Sequence, residues 1–98
     1  GNKGKGREKG KMKKTEGYVV RRLEDEYLVL PSGRRTEEVN EVISLSETAG
    51  FIYMHAERAE NVDELAQLVA EEYEIELAEV LEDVRNVVLT LQKKGILL

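Results

Sequence analysis

The titratable side chains of this 98-residue chain offer few arrangements that could carry out catalysis. His55 is the single histidine and cysteine is absent, so no His/Cys set with zinc-ligand spacing exists. The pairs Glu71-Glu72 and Glu82-Asp83 are adjacent within stretches of helical periodicity. Adjacent helical residues point in different directions, so neither pair can converge on one substrate. The sequence therefore predicts solvated acidic helix faces, a structural His55 and no metal site.

The serines and glycines do not form a recognisable catalytic motif either. No Gly-x-Ser-x-Gly turn surrounds Ser32, Ser44 or Ser46. The glycines of the first ten residues do not connect a strand to a helix, so they cannot form a phosphate-binding loop. We expect no catalytic residues, no cofactor and no enzymatic activity from this chain alone.

The net charge of −5 combines two opposite parts. Residues 1–16 contain seven Lys/Arg and two Glu, with Met12 as the one large apolar side chain, whereas residues 17–98 contain eight basic and eighteen acidic residues. The first part has too little apolar surface to order its backbone, which predicts a disordered basic arm over 1–16. Such an arm could be a solubilising tail or could contact nucleic acid or a membrane surface. MKKTEGYVV is typical of a natural start, so residues 1–11 are interpreted as either a remnant of expression or an upstream extension.

The remainder, residues 17–98, is predicted to be one small folded domain. No apolar run approaches the ~18 residues of a membrane helix, and no secretory signal is visible. Together with the absence of cysteine, this predicts a cytoplasmic protein with no membrane partner.

Three strands and then three helices are expected along this domain. Tyr18–Leu23 and Glu26–Leu30 are β-prone runs joined by a short acidic turn, Arg34–Val39 is a polar connection, and Asn40–Leu45 is a third strand. Ser46 and Asn61 are good caps for two helices, and the third helix, Leu77–Lys94, ends at Gly95. Ile96–Leu98 should fold back on the core. The order predicts an α+β, winged-helix-like fold with a three-stranded antiparallel sheet.

Winged helices often bind DNA, but this one is poorly suited to it. The third helix opens with Glu76, Glu79, Glu82 and Asp83, which would repel phosphates. A DNA-binding regulator, perhaps acting through the basic arm, remains the alternative function, and a subunit that only docks on an enzyme is a third. The favoured hypothesis is a peptide groove, in which the third strand offers an unpaired edge for β-strand addition beside the third helix.

Six stretches of the sequence share a recognisable order and spacing: Ser44–Ala49, Ile52-Tyr53, Val62–Leu65, Glu72–Ile75, Glu82–Val84 and Leu91–Leu97. Together they resemble the PqqD-like family. These are the peptide-recognition domains, or RiPP recognition elements, of ribosomal natural-product biosynthesis. The resemblance covers residues 17–98. It implies a non-catalytic chaperone that binds the leader of a precursor peptide and presents it to a modifying enzyme, expected to be a radical S-adenosylmethionine protein.

The resemblance also implies the binding residues. Glu41, Val42, Ile43 and Ser44 would pair with the leader backbone, and Val80, Asp83, Val84 and Val87 would line the helix side of the groove. The chain departs from the family pattern at Leu45-Ser46, where Leu-Asn is usual, and at His55 and Ala56, where leucines are usual. The basic arm is not part of that pattern.

Overall fold

The computed structural model describes residues 11–38 and 41–98. Its strands are β1 (Tyr18–Leu23), β2 (Glu26–Pro31) and β3 (Ile43–Ser46), and a one-turn helix, α1 (Arg35–Glu38), lies between β2 and β3. A helical half follows, made of α2 (Glu47–His55), a 3-10 turn (Ala56–Arg58), α3 (Val62–Tyr73) and α4 (Leu77–Lys93). The order of strands and then helices confirms the predicted α+β class.

The sheet is antiparallel with the order β1-β2-β3. A two-residue turn at Glu24 and Asp25 closes the first hairpin, and Glu24 adopts a left-handed φ of 47°. Two-residue hairpin turns require a positive φ because only that backbone twist matches the flanking strands. The register places Tyr27 opposite Leu45 and Val29 opposite Ile43, so these four side chains share the face that packs on the helices.

One apolar core joins the sheet to the helices. Its centre includes Val29, Ile52, Leu65, Val84 and Leu91, none more than 1% exposed. The helical periodicity of α4 puts Val80, Val84, Val88 and Leu91 on a single buried stripe. Among the described residues the buried positions are apolar or aromatic, Tyr53 included.

The predicted helix caps are confirmed. The Ser46 hydroxyl accepts the Ala49 amide at 3.1 Å, and the Asn61 side chain accepts the Glu64 amide at 2.9 Å. Glu64 completes its cap by accepting the backbone amide of Glu60 at 2.9 Å. Gly95, with a φ of 84°, follows the end of α4 as expected.

The segment 11–16 is not a disordered arm. Met12 is 4% exposed within the core, and the backbones of Lys13 and Leu98 exchange two hydrogen bonds. The hydroxyl of Thr15 donates to the Gly95 carbonyl at 2.6 Å, and the Lys14 amide donates to the Glu57 carboxylate at 2.8 Å. The prediction of disorder was based on charge and gave too little weight to burial of Met12. The C-terminal residues provide the backbone hydrogen-bond partners that order the segment. The part of the predicted arm before residue 11 lies outside the described residues.

Other boundaries also differ from the sequence expectations. The third strand begins at Ile43 and includes Ser46, so Glu41 and Val42 precede it, while Asn40 lies outside the described residues. Part of the predicted polar connection forms helix α1. The C-terminal tail folds back as predicted through Ile96 and Leu97, which are buried, although Leu98 is exposed. Among the described residues, no helix combines the length and apolarity needed to cross a membrane.

Candidate functional site

The second edge of β3 is the main feature of the sheet that could bind a partner. β3 is the last strand in the sheet, and β2 is the single strand of the described residues that pairs with it. The side chains of Ile43 and Leu45 are each 6% exposed and belong to the core, whereas Ser44 and Ser46 are exposed on the opposite face. An edge of this kind presents backbone donors and acceptors to a further strand.

The hairpin register identifies which backbone groups of β3 face outward. In a two-residue turn the carbonyl of Leu23 accepts the amide of Glu26, so the Glu26 backbone faces β1. The direction of the backbone amide and carbonyl alternates from one residue of a strand to the next. Those of Tyr27 and Val29 therefore point toward β3. The backbone amides and carbonyls of their partners, Leu45 and Ile43, therefore point toward β2. The amide and carbonyl of Ser44 consequently point to the open edge.

Helix α4 was expected to form the second wall of a groove, and its ion pair with α3 shows which of its flanks faces that helix. The Arg85 guanidinium lies 3.8 Å from the Asp63 carboxylate of α3, so the flank carrying Arg85 and Leu81 faces α3. At 100° per residue, Asp83 and Val87 lie on the other flank. Asp83 is exposed and Val87 is half-buried, and this flank, which is turned away from α3, is the accessible flank of α4.

Three of the predicted binding residues, Glu41, Val42 and Ser44, lie at or just before β3. Glu41 and Val42 are exposed just before β3, and Val42 is 49% exposed. The Ser44 hydroxyl donates to the Glu26 carboxylate at 2.7 Å.

The remaining predicted positions are core residues. Ile43 is 6%, Val80 7% and Val84 1% exposed. Val84 was expected to line the groove, but it points into the centre of the molecule because it lies on the middle of the buried stripe of α4. The sequence analysis also missed Ser46, whose backbone shares the outward direction of Ser44. Its direction follows from the pairing of β2 with β3, which no local sequence signal specifies.

His55 has a structural environment. Its Nδ1 lies 2.9 Å from the Phe51 carbonyl oxygen, and its ring stacks on the Phe51 ring with centroids 4.0 Å apart. The Tyr73 ring meets Phe51 edge-on at 5.7 Å. Within residues 11–38 and 41–98 no group of three His, Asp or Glu side chains is arranged to hold a metal ion.

Two tyrosines have perturbed acidities for structural reasons. Burial raises the pKa of Tyr53 above its usual 10.0, and Tyr18 and Glu57 add to the shift. The pKa of Tyr73 is also raised, first by burial and then by Glu47, Glu72 and Tyr27, while a hydrogen bond with Thr48 opposes the change. Neither tyrosine is in β3 or α4, so the shifts concern stability rather than the candidate site.

Comparison with known families decides the classification. The family described as "Coenzyme PQQ synthesis protein D (PqqD)" matches residues 26–97, which include β2, β3 and all of the helices. The chain belongs to the PqqD family. The resemblance noted in the sequence is thereby confirmed. No curated protein matches the sequence.

Two solved structures share this PqqD fold. "Lasso peptide synthetase B1 complexed with the leader peptide" has a TM-score of 0.68 at 23% identity, with 90% of this chain and 98% of that chain covered. "TbiB1 in Complex with the TbiA(beta) Leader Peptide" has a TM-score of 0.66 at 20% identity, covering 87% of this chain and 93% of that one. At these identities the likeness establishes the fold, and these comparisons give no support to the DNA-binding alternative.

Proposed function

We propose that this PqqD-family chain is a non-catalytic module that binds the leader segment of a ribosomally made precursor peptide. The leader would add a strand to the open edge of β3 and pack against the accessible flank of α4. The observation that carries the proposal is the outward-facing backbone of Ser44 on an unpaired edge strand. Both similar solved structures are complexes with leader peptides, which supports the proposal.

Affinity would come from the backbone and selectivity from side-chain contacts. Each strand hydrogen bond contributes about 0.5–1.5 kcal/mol net, and a few of them with two or three buried apolar side chains are consistent with micromolar binding, about −8 kcal/mol. Backbone pairing tolerates many sequences, so selectivity must arise where leader side chains meet the exposed residues of α4 and the edge of the sheet.

The mechanism would be an increase in effective concentration. Holding the leader keeps the attached core peptide close to a modifying enzyme, so that its reaction becomes locally intramolecular. The partner proposed here is such an enzyme, with a radical S-adenosylmethionine protein as the expected class. The chain itself would supply no catalytic group, in keeping with the environment of His55.

The test is an NMR titration of the isotope-labelled chain with a synthetic leader from the precursor gene encoded beside it. We expect saturable shifts concentrated in residues 43–46 and along 77–91. The leader named in the TbiB1 complex serves as an unrelated peptide, and duplex DNA tests the alternative function. Saturable shifts on α4 with DNA, and none with any leader, would reject the proposal.

Ser44→Pro examines the strand-addition geometry directly. Proline removes the outward amide, and an edge position tolerates it because that amide has no partner in the sheet. Leader binding should fall at least about ten-fold, which corresponds to ~1.4 kcal/mol, while the circular dichroism spectrum stays unchanged. Ser44→Ala keeps the amide and is the matched control. Ile43→Pro is unsuitable, since its amide faces β2 and its loss would damage the sheet itself.

A second variant keeps the test informative if Ser44→Pro proves unstable. Val87→Lys places a charge on the half-buried position of the accessible α4 flank, whereas Gln67→Lys changes an exposed residue of α3. Only the first should weaken leader binding. Equal effects of the two substitutions would contradict the role of α4.

A further inference from the structure

Both walls of the proposed groove carry carboxylates that lack a partner within the described part of the chain. Glu41 is exposed immediately before β3, and Glu79 and Asp83 are exposed along α4. None of the three carboxylate groups takes part in a hydrogen bond or ion pair among residues 11–38 and 41–98. Glu79 and Asp83 are also four residues apart, a spacing at which like charges on a helix destabilise each other.

An apolar contact lies next to this acidic rim. Val87 is half-buried one helical turn after Asp83 on the same flank. One turn of helix rises 5.4 Å, and two residues of a β-strand span about 6.6 Å. In a strand lying along α4, the side chains of residues i and i+2 point to the same side. One of them could therefore contact Val87 while the other lies near Asp83.

The charge of the whole domain favours the same kind of ligand. Residues 11–98 contain nineteen acidic and eleven basic side chains, so their field attracts a cationic peptide and repels an acidic one. The attraction should be partly screened at physiological salt because the Debye length there is about 8 Å. Charge would therefore select among leaders, while backbone pairing holds them.

On the basis of the function proposed above, we infer that the leader taken by this chain carries Lys or Arg two residues from an apolar anchor. The apolar side chain contacts Val87, and the cation lies between Asp83 and Glu41. The edge of β3 holds the backbone. The groove thus selects a basic strand over an acidic one of the same hydrophobicity.

The test is a display selection on the immobilised full chain, using random peptides long enough to form one β-strand. We expect enriched sequences to contain an apolar residue and a Lys or Arg in an i, i+2 relation. One enriched peptide and its Lys→Gln counterpart are then titrated against the wild-type chain and against Glu41→Gln/Asp83→Asn. Glu71→Gln, which removes an exposed charge from α3, is the matched control.

The double substitution should lower the affinity for the basic peptide about two- to five-fold, the range expected for exposed ion pairs. It should leave the Lys→Gln peptide nearly unaffected, and Glu71→Gln should change neither affinity. Added salt should reduce the difference between the two peptides.

Failure of this inference and failure of the proposed function give different results. Enriched peptides that bind Ser44→Pro as tightly as the wild-type chain, or no enrichment of any peptide, would contradict strand addition. Binding that Ser44→Pro abolishes but that shows no Lys/Arg enrichment would overturn only the charge inference. An unchanged affinity of the basic peptide for the double variant would overturn it as well.

Discussion

The aromatic ring of Tyr27 on β2 lies directly over the backbone of Gly50 on α2. A β-carbon at Gly50 would come closer than 3.0 Å to three carbons of that ring. Glycine is needed here for close approach rather than for its backbone freedom. This contact sets how near α2 can lie to the strand that pairs with β3.

Gly50→Ala should therefore destabilise the fold although alanine is the better helix former. Overpacking costs about 1–3 kcal/mol, whereas the gain in helix propensity is at most about 1 kcal/mol. We expect a lower free energy of unfolding in urea. In a Tyr27→Leu background the same substitution should be neutral or stabilising, because the ring is gone. Equal losses in both backgrounds would contradict the contact.

Met12→Ala should destabilise the domain although the residue lies in a basic segment. Its side chain is 4% exposed in the core, and truncating a buried methionine costs about 2–5 kcal/mol. We expect the low end of that range in urea unfolding, because the segment can relax. Lys13→Ala, at an exposed neighbour, should stay within about 0.5 kcal/mol of wild type. Similar values for the two variants would show that Met12 does not anchor the segment.

The position of Met12 also affects tests of DNA binding. Removing residues 1–16 would remove Met12 and the pairing with the C-terminus, so any loss of binding would mix unfolding with loss of charge. Replacing the exposed Lys11 and Lys13 by Gln separates the two effects. Unchanged DNA affinity in that variant would show that these two charges do not support the alternative function.

Glu74→Gly should stabilise the domain. Glu74 ends α3 in the left-handed region at φ 53°, where glycine avoids the steric cost of a β-carbon. A gain of about 0.5–1 kcal/mol is expected from thermal or urea unfolding. Glu71→Gly, within the last turns of the same helix, should lower the free energy of unfolding by a similar amount. A loss of stability in both variants would contradict this explanation.

Alkaline pH should destabilise the fold through Tyr53. Its pKa is raised in the folded state, so its contribution is complete below the unfolded pKa of about 10 and is lost as the pH rises through the higher folded value. Tyr53→Phe keeps the ring and removes the titration, so its stability should fall less steeply above pH ~10. The measurement is urea unfolding at several alkaline pH values, with tyrosinate absorbance reporting ionisation. Parallel curves for both proteins would contradict the assignment.

Local sequence signals predicted most of the elements. Ser46, Asn61 and Gly95 act on backbone groups within a few residues of themselves, so their roles could be inferred without knowledge of the fold. The stripe of Val80, Val84, Val88 and Leu91 is likewise a matter of helical spacing. The start of β3 was misplaced because Glu41 and Val42 are compatible with a strand, and only pairing with β2 determines where the strand begins.

The candidate site was predicted less well than the elements. Ile43 was expected to pair its backbone with the leader, but that backbone faces β2. Val84 was expected to line the groove, but its side chain is core. Periodicity shows that a residue belongs to a buried stripe, yet it does not show which flank of that stripe borders a neighbour. The Arg85–Asp63 ion pair supplies that information for α4.

The sequence by itself determined the strand-then-helix order, the helix caps and the acidic character of the domain, because these depend on side-chain type and short spacing. Tertiary structure decided which backbone of β3 is open, since that requires the register of three strands. It also decided the ordering of residues 11–16. Thr15 bonds to Gly95, eighty residues away in sequence, and no local pattern of charge or hydropathy specifies a partner at that separation.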